Sequence, residues 1–373
     1  MAAHRLRSRR RWAAAAGAGG AAVVTLAVVT GIAGAVPRAS IPQPPAAATP
    51  STSPPPVTAR DFTQPEGLGF TIAQTRVGVW QIGPAGRATL GYQQIPVYRD
   101  GKTLTVDNVA YPYPDGLLTL YRPGVFDIAT SSTFPSQWPK QYRTTYSQRT
   151  DVVIAGRPGI EQQFTYQLPI LEDLRAKKKA NPGPPRLDDP SIKTETFTRT
   201  AFAWKFDGTS WATFVPGPNR EPLSRTESLA IVEAVAPGKP EPARVPYTFG
   251  WLPAGWSVSA AELSPTDIIS GVLLNPVKLS GTTLDRQFDE YPAAGRLTIW
   301  QGRPKPNNAP AEGQTMKCQD INGYCTLLID RDHFAQFERV GKTLSMDDVR
   351  HILRELRFTT VADRDSWKPV PTA

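Results

Sequence analysis

Beyond residue 60 the chain carries one string of local signals twice, in the same order. Pro65-Glu66-Gly67 leads to Phe70, and Pro253-Ala254-Gly255 leads to Trp256. Gly116-Leu-Leu-Thr-Leu-Tyr121 matches Gly295-Arg-Leu-Thr-Ile-Trp300. AFAWKFDGTSWATF, from Ala201 to Phe214, lies without a gap on YCTLLIDRDHFAQF, from Tyr324 to Phe337. SRTESLAIVEAV from Ser224 then lies on SMDDVRHILREL from Ser345. Ordered self-similarity of this kind restricts the fold to two copies of one supersecondary unit.

The matches also predict what each copy contains. Apolar alternation around Asp207-Gly208, with Phe202, Trp204 and Phe206 on one face, and around Asp330, predicts two antiparallel hairpins. A helix follows each, begun by a capping box at Ser224 and Glu227 and by its near equivalent at Ser345 and Asp348. Val349, Ile352, Leu353 and Leu356 make one apolar stripe, matched by Leu229, Val232 and Val235. Val77 to Ile82, Thr89 to Tyr92, Val152 to Ala155, Gln163 to Tyr166 and Ser257 to Ala261 read as further strands between Gly and Pro breaks. Runs of strands closed by one helix predict an α+β fold: two tandem related modules of antiparallel sheet, each closed by a C-terminal helix. The first module is expected over 61–237, a Pro-rich linker over 238–246 and the second module over 247–373. The first copy holds an insertion near 167–193, whose acids precede its lysines as a helix dipole favours and whose Pro-Gly-Pro-Pro ends it.

The N-terminus decides location. Residues 1–12 are a basic tail, and residues 13–36 are an uncharged run of the length a membrane-spanning helix needs. The expectation is a single-pass cell-membrane protein with a cytoplasmic N-terminus and extracytoplasmic C-terminal domains. A second reading stays open: the span is mostly Ala, Gly and Val, and Ala33-Gly34-Ala35 has the small-x-small form of a cleavage site, so cleavage near Ala35 would secrete the protein. Residues 37–60 are rich in Pro, Ala, Ser and Thr and have almost nothing to bury, which predicts a disordered, semi-rigid stalk.

Net charge is +9 over the whole chain, but all 33 acidic residues lie at or beyond Asp61 together with most of the basic ones. The excess positive charge therefore belongs to the tail. The only dense basic run after it is Lys177-Lys178-Lys179, without interleaved stacking aromatics, so no nucleic-acid partner is expected.

Export places Cys318 and Cys325 in an oxidising space. They bracket Gln-Asp-Ile-Asn-Gly-Tyr, good turn material in which Asn322 or Gly323 takes positive φ, so a disulfide across a hairpin is expected. His333 and His351 are too few and too far apart in sequence for a zinc site. His333 takes the place of Ser210 in the repeat, and His351 stands one turn after Asp347 on its helix. Gly101-Lys102-Thr103 and Gly341-Lys342-Thr343 imitate the end of a phosphate loop, but Pro96 and Gln336 stand where its first glycine belongs. There is no Gly-x-Ser-x-Gly or Ser-x-x-Lys, and none of Asp330/Asp332, Asp347/Asp348 and Asp363/Asp365 has the calcium-loop pattern. No catalytic residue, metal ligand or cofactor is assigned.

The remaining candidates are surface aromatics: Trp251, Trp256 and Trp300 in the second module, and Tyr111, Tyr113 and Tyr121 in the first. If exposed together they would form a platform for an envelope glycan, lipid or protein ligand; as strand residues they alternate into the core instead. The Ser-capped helix running into Leu353-Arg354-Glu355-Leu356-Arg357-Phe358, and the Pro-Ala-Gly-Trp at the start of the second module, resemble PsbP/Mog1-like domains. The layout of basic tail, single span, proline-rich stalk and Trp-rich ectodomain is similar to single-pass, exported surface proteins of high-GC Gram-positive bacteria. Neither resemblance implies a catalytic residue. The expected function is a membrane-tethered extracytoplasmic binding or accessory protein of the cell envelope. The alternative is an exported hydrolase-like enzyme whose carboxylates meet only in three dimensions.

Overall fold

The computed structural model describes residues 67–72, 74–83, 86–106, 109–129, 144–170, 172–173, 192–217, 223–263, 270–276, 294–304 and 306–371. The basic tail, the 13–36 span, the 37–60 stalk, Lys177 to Lys179 and most of the insertion lie outside the described residues. Among the described residues no helix is long and apolar enough to cross a membrane.

Among the described residues the protein is mostly β-sheet, with two nine-residue helices. Its first half contains β1 (Gly69–Ile72), β2 (Thr75–Val77), β3 (Trp80–Ile82), β4 (Arg87–Thr89), β5 (Tyr92–Val106), β6 (Val109–Tyr121), β7 (Thr145–Ile154), β8 (Arg157–Pro169), β9 (Thr194–Lys205), β10 (Trp211–Pro216) and helix α1 (Arg225–Glu233). Then come β11 (Pro237–Pro242), β12 (Arg244–Val245), β13 (Tyr247–Phe249), β14 (Ser257–Leu263), β15 (Ser270–Asn275), β16 (Gly295–Gln301), β17 (Met316–Gln319), β18 (Tyr324–Leu328) and β19 (His333–Arg339). Helix α2 (Met346–Arg354), β20 (Leu356–Phe358) and β21 (Lys368–Pro369) close the chain.

One antiparallel sheet runs through both halves in the order β17-β18-β19-β16-β15-β14-β4-β5-β6-β10-β9-β8-β7, with β3 also paired to β5 and β2 to β3. Read outward from the β4–β14 contact, both halves begin with a three-strand meander and return through a second meander entered at its last strand, which has three strands in the second half (β19-β18-β17) and a fourth, β7, beyond β10-β9-β8 in the first. The correspondence extends to register. Phe214 lies opposite Leu118 and Phe202, while Phe337 lies opposite Leu297 and Cys325, which are the positions the ungapped alignment equates. In the hairpin turns, Asp207 accepts from the backbone N–H of Thr209 and Ser210, and Asp330 accepts from that of Asp332 and from the His333 ring. Both capping boxes are formed, Ser224 with Glu227 and Ser345 with Asp348.

The helices cover one face. Helix α1 packs on β9 and β10, and α2 on β18 and β19. Ile231 and Val232 from α1, and Val349, Ile352 and Leu353 from α2, share a core with Phe202, Trp204, Phe214, Leu297 and Phe337. In this core the aromatic rings of Phe214 and Phe337 lie directly over Gly116 and Gly295.

Three expectations change. Residues 238–246 are structured: β11 pairs with β1, and β12 with β21. Proline permits this because both are short two-stranded ribbons whose outer edge needs no N–H donor. Thr89 to Tyr92 is a turn between β4 and β5, in which the Thr89 hydroxyl accepts from the N–H groups of Gly91 and Tyr92. The Pro-x-Gly match is not equivalent in strand order, since Gly67 precedes β1 whereas Gly255 follows β13.

Cys318 and Cys325 are Cα partners in the β17–β18 hairpin and form a disulfide. A single 3-10 turn, Asp320–Asn322, connects the strands, and Gly323 takes the positive φ of 71°. The closed loop is short, so replacing both cysteines with serine is expected to lower stability by about 2 kcal/mol without changing the fold. Unfolding of the wild type with and without reductant, beside the double variant, measures it; a loss of all cooperative unfolding would show that the bond does more than pin this hairpin.

Candidate functional site

Cα partners in an antiparallel sheet place their side chains on the same face. The face turned away from α1 and α2 therefore carries one transverse row, from β17 to β10: Lys317, Thr326, Gln336, Thr298, Gly271, Glu262, Arg87, Gln94, Thr119 and Thr213. Only Gly271 in this row lacks a polar side chain. Arg87 and Glu262 stand at its middle, on the contact between the halves, and they occupy equivalent positions: Arg87 faces Gln94 and then Thr119, Glu262 faces Gly271 and then Thr298. An axis relating the halves thus passes through this pair.

The centre is buried, with Arg87 at 7% exposure and Glu262 at 5%. Arg87 donates to Glu262 Oε1 at 2.5 Å, and Arg296 approaches the same oxygen at 3.5 Å. Burial pushes the Glu262 carboxyl up, but the charges of Arg87 and Arg296 and the Arg87 hydrogen bond hold it below the usual carboxylate range. Burial likewise works against the Arg87 charge, and Glu262 together with Tyr92 restores it, leaving its pKa raised. Two guanidinium groups therefore share one carboxylate, and Glu338 stands across from Arg296 on the same face.

On the second half of this face, three buried donors find no hydrogen-bond partner in the structure: Arg296 Nε, Trp300 Nε1 and Thr326 Oγ1. Arg296 and Trp300 flank Thr298 along β16, and Thr326 belongs to the polar row two strands away. On the first half the same face is covered by Val125, Phe126 and Ile128, which pack on Tyr92, Tyr121, Phe164, Tyr166 and Trp211.

The aromatic candidates separate accordingly. Tyr121 is 2% exposed and its ring lies 4.4 Å from that of Phe126, so it belongs to a core and not to a surface platform. Trp251 is half-buried and stacks on His351 at 4.1 Å, and Trp256 packs half-buried on the same helix-side core. His351 does not pair with Asp347, which Arg350 takes at 2.8 Å. Trp300, half-buried, lies on the opposite face with its ring 6.3 Å from Phe334. Tyr111 and Tyr113 lie on β6, and their side chains are outside the described residues. The sheet therefore separates Trp300 from Trp251 and Trp256.

A cleft of about 460 Å³ opens where Gln301 and His333 meet the segment from Val361 to Asp365. His333 Nδ1 is 2.9 Å from Asp330, and this contact is the counterpart of the Asp207–Ser210 turn, so it originates in hairpin closure. Among the described residues no group of three or more His, Cys, Asp or Glu side chains is placed to hold a metal ion.

The Arg87–Glu262 centre carries no local sequence signal, because each residue is a lone charge in a short strand and the two are 175 positions apart. No family model matches the chain, and no curated protein matches it. Among solved structures, the crystal structure of MucB in complex with MucA(peri) is similar at 11% identity, covering 79% of this chain and 93% of that one, with a TM-score of 0.17. A superposition of that quality carries no argument about fold or function.

Proposed function

We propose that this is a membrane-tethered, extracytoplasmic binding or accessory protein of the cell envelope, whose ligand surface is the second half of the sheet face opposite α1 and α2. The observation that carries the reading is the set of unmet donors on that face, Arg296 Nε, Trp300 Nε1 and Thr326 Oγ1. Leaving a buried donor unmet costs roughly 1–3 kcal/mol, so such a face is suited to a ligand rich in acceptor oxygens, as envelope glycans and lipid headgroups are.

The hydrolase-like alternative needs a carboxyl poised to exchange a proton. The two buried acids among the described residues are Glu262, held ionised by Arg87, and Asp115, which Lys102 contacts at 2.7 Å. Glu262 is thereby held in its charged form, and Asp115 is engaged in an ion pair.

A photo-crosslinking residue in place of Trp300, in the full chain in its own host, tests the reading. The expected result is an adduct with an envelope component that is lost on adding Arg296→Ala, in cells whose ectodomain is cut by external protease. A protein recovered in the cytosol, or one displayed outside that gives no adduct at position 300, would overturn it.

A further inference from the structure

The shared sheet ends on two strands of unlike character. At one end β17 is four residues long and tied to its neighbour by the Cys318–Cys325 bond. At the other end β7 runs for ten residues, and among the described residues it pairs with β8 alone. Open edges are normally blunted by lysine, proline, a bulge or very short length. Strand β7, Thr-Tyr-Ser-Gln-Arg-Thr-Asp-Val-Val-Ile, has neither lysine nor proline. Its register shift lies between Tyr146 and Arg149, leaving Arg149 to Ile154 in regular pairing with β8. Thr150 and Asp151 are exposed, and Val153 is 61% exposed, one of few large apolar side chains in open solvent.

We infer that β7 is the docking edge for a second copy of this chain, joined antiparallel about Thr150. In that register Arg149 of each copy lies opposite Asp151 of the other, and Gln148 lies opposite Val152. Centring the pair on Arg149 instead would set arginine against arginine, and centring it on Asp151 would set aspartate against aspartate. Directly opposed like charges are unfavourable and opposite charges favourable, so the register about Thr150 is the one that gains two opposite-charge pairs and opposes no like charges. Arg149 is anchored for this role, donating to the Ile128 carbonyl at 2.6 Å. The protein already uses the same solution internally, where β4 and β14 join antiparallel with Arg87 opposite Glu262. A second copy accounts for the alternation of Arg149 and Asp151 about Thr150, which an unrelated strand would not require. This proposal does not depend on the ligand reading above.

The test uses cysteine in the full chain in its native membrane, where the two natural cysteines already pair with each other. A self-facing residue has its Cα about 4.5–5.5 Å from its copy, within disulfide reach. Thr150→Cys is therefore expected to give a covalent dimer on non-reducing electrophoresis, and Val153→Cys, which faces Ser147, is not. Adding Asp151→Arg, or adding Arg149→Asp, to Thr150→Cys should abolish the dimer, and coexpressing those two double variants should restore it. Monomer from Thr150→Cys, equal cross-linking by Val153→Cys, or no effect of Asp151→Arg would each overturn the inference. Because Asp151 is exposed, the Asp151→Arg arm decides the matter even if Arg149→Asp disturbs folding.

Discussion

Glu262→Gln is expected to destabilise the protein by about 3 to 5 kcal/mol, because it leaves the buried Arg87 guanidinium without its counter-charge. The loss measures the cost of an orphaned charge and not the net worth of the pair. Accordingly Arg87→Met combined with Glu262→Leu, which removes both charges and keeps the volume, should recover most of it. Arg296, with 23% of its side chain exposed, has solvent within reach when the carboxylate is gone. Denaturant unfolding of the wild type, the single variant and the double variant gives the comparison. A single variant as stable as the wild type would mean that the seam is hydrated and the pair unimportant. The same pair sets a pH dependence. The folded pKa of Glu262 lies below its unfolded value of about 4.3, so its contribution is fully present above that pH and is lost as pH falls through the depressed folded value. The gap between wild type and Glu262→Gln should therefore narrow in acid, and a constant gap down to the acid unfolding limit would contradict the assignment.

Adding one methyl group at Gly116 or at Gly295 should be almost as damaging, about 3 kcal/mol, at the top of the usual range for overpacking. A Cβ at Gly116 would lie 2.7 Å from two ring carbons of Phe214, and one at Gly295 would lie 2.6 Å from Phe337 Cζ. Both rings are fully buried, so neither can swing away. The reason is steric and local, which predicts its own remedy: Gly295→Ala with Phe337→Leu should be more stable than Gly295→Ala alone. Thermal unfolding of the four proteins checks it. The two glycines should also respond alike, since each sits two residues before the leucine that faces its phenylalanine. If only one of them proves sensitive, the equivalence of the two halves fails at this point.

The parts of the fold that were legible in the sequence are those fixed by short-range geometry. Ser224 and Ser345 announce helix starts because a hydroxyl there meets an N–H within the same turn. Asp207 and Asp330 announce hairpin turns for the same reason. Gly116 and Gly295 are visible only as members of a repeated string, and their purpose emerges once the phenylalanine rings are placed over them. What the sequence hides is the joining of the two halves. Strand β4 is three residues long, too short for alternation to show, and Glu262 reads as the end of an apolar run although it is buried. The proline-rich stretch from Pro237 looks like a linker because proline is foreign to central strands, yet it is tolerated on a ribbon edge. The candidate surface was hidden for a related reason. Residue type alone marks an aromatic as a candidate, whereas the face each one occupies follows from pairings between distant strands. That is why Tyr121 belongs to a core while Trp300 lies on the face with the unmet donors.

The axis through Arg87 and Glu262 limits how such a seam can be encoded. In an assembly of two identical chains, a residue on the dyad meets its own twin, so a charge placed there can only meet its like. Opposite charges at that position are open only to halves written into one polypeptide, where each can mutate without the other. A seam of one arginine against one glutamate on this axis is therefore open to a single polypeptide and closed to two identical half-chains.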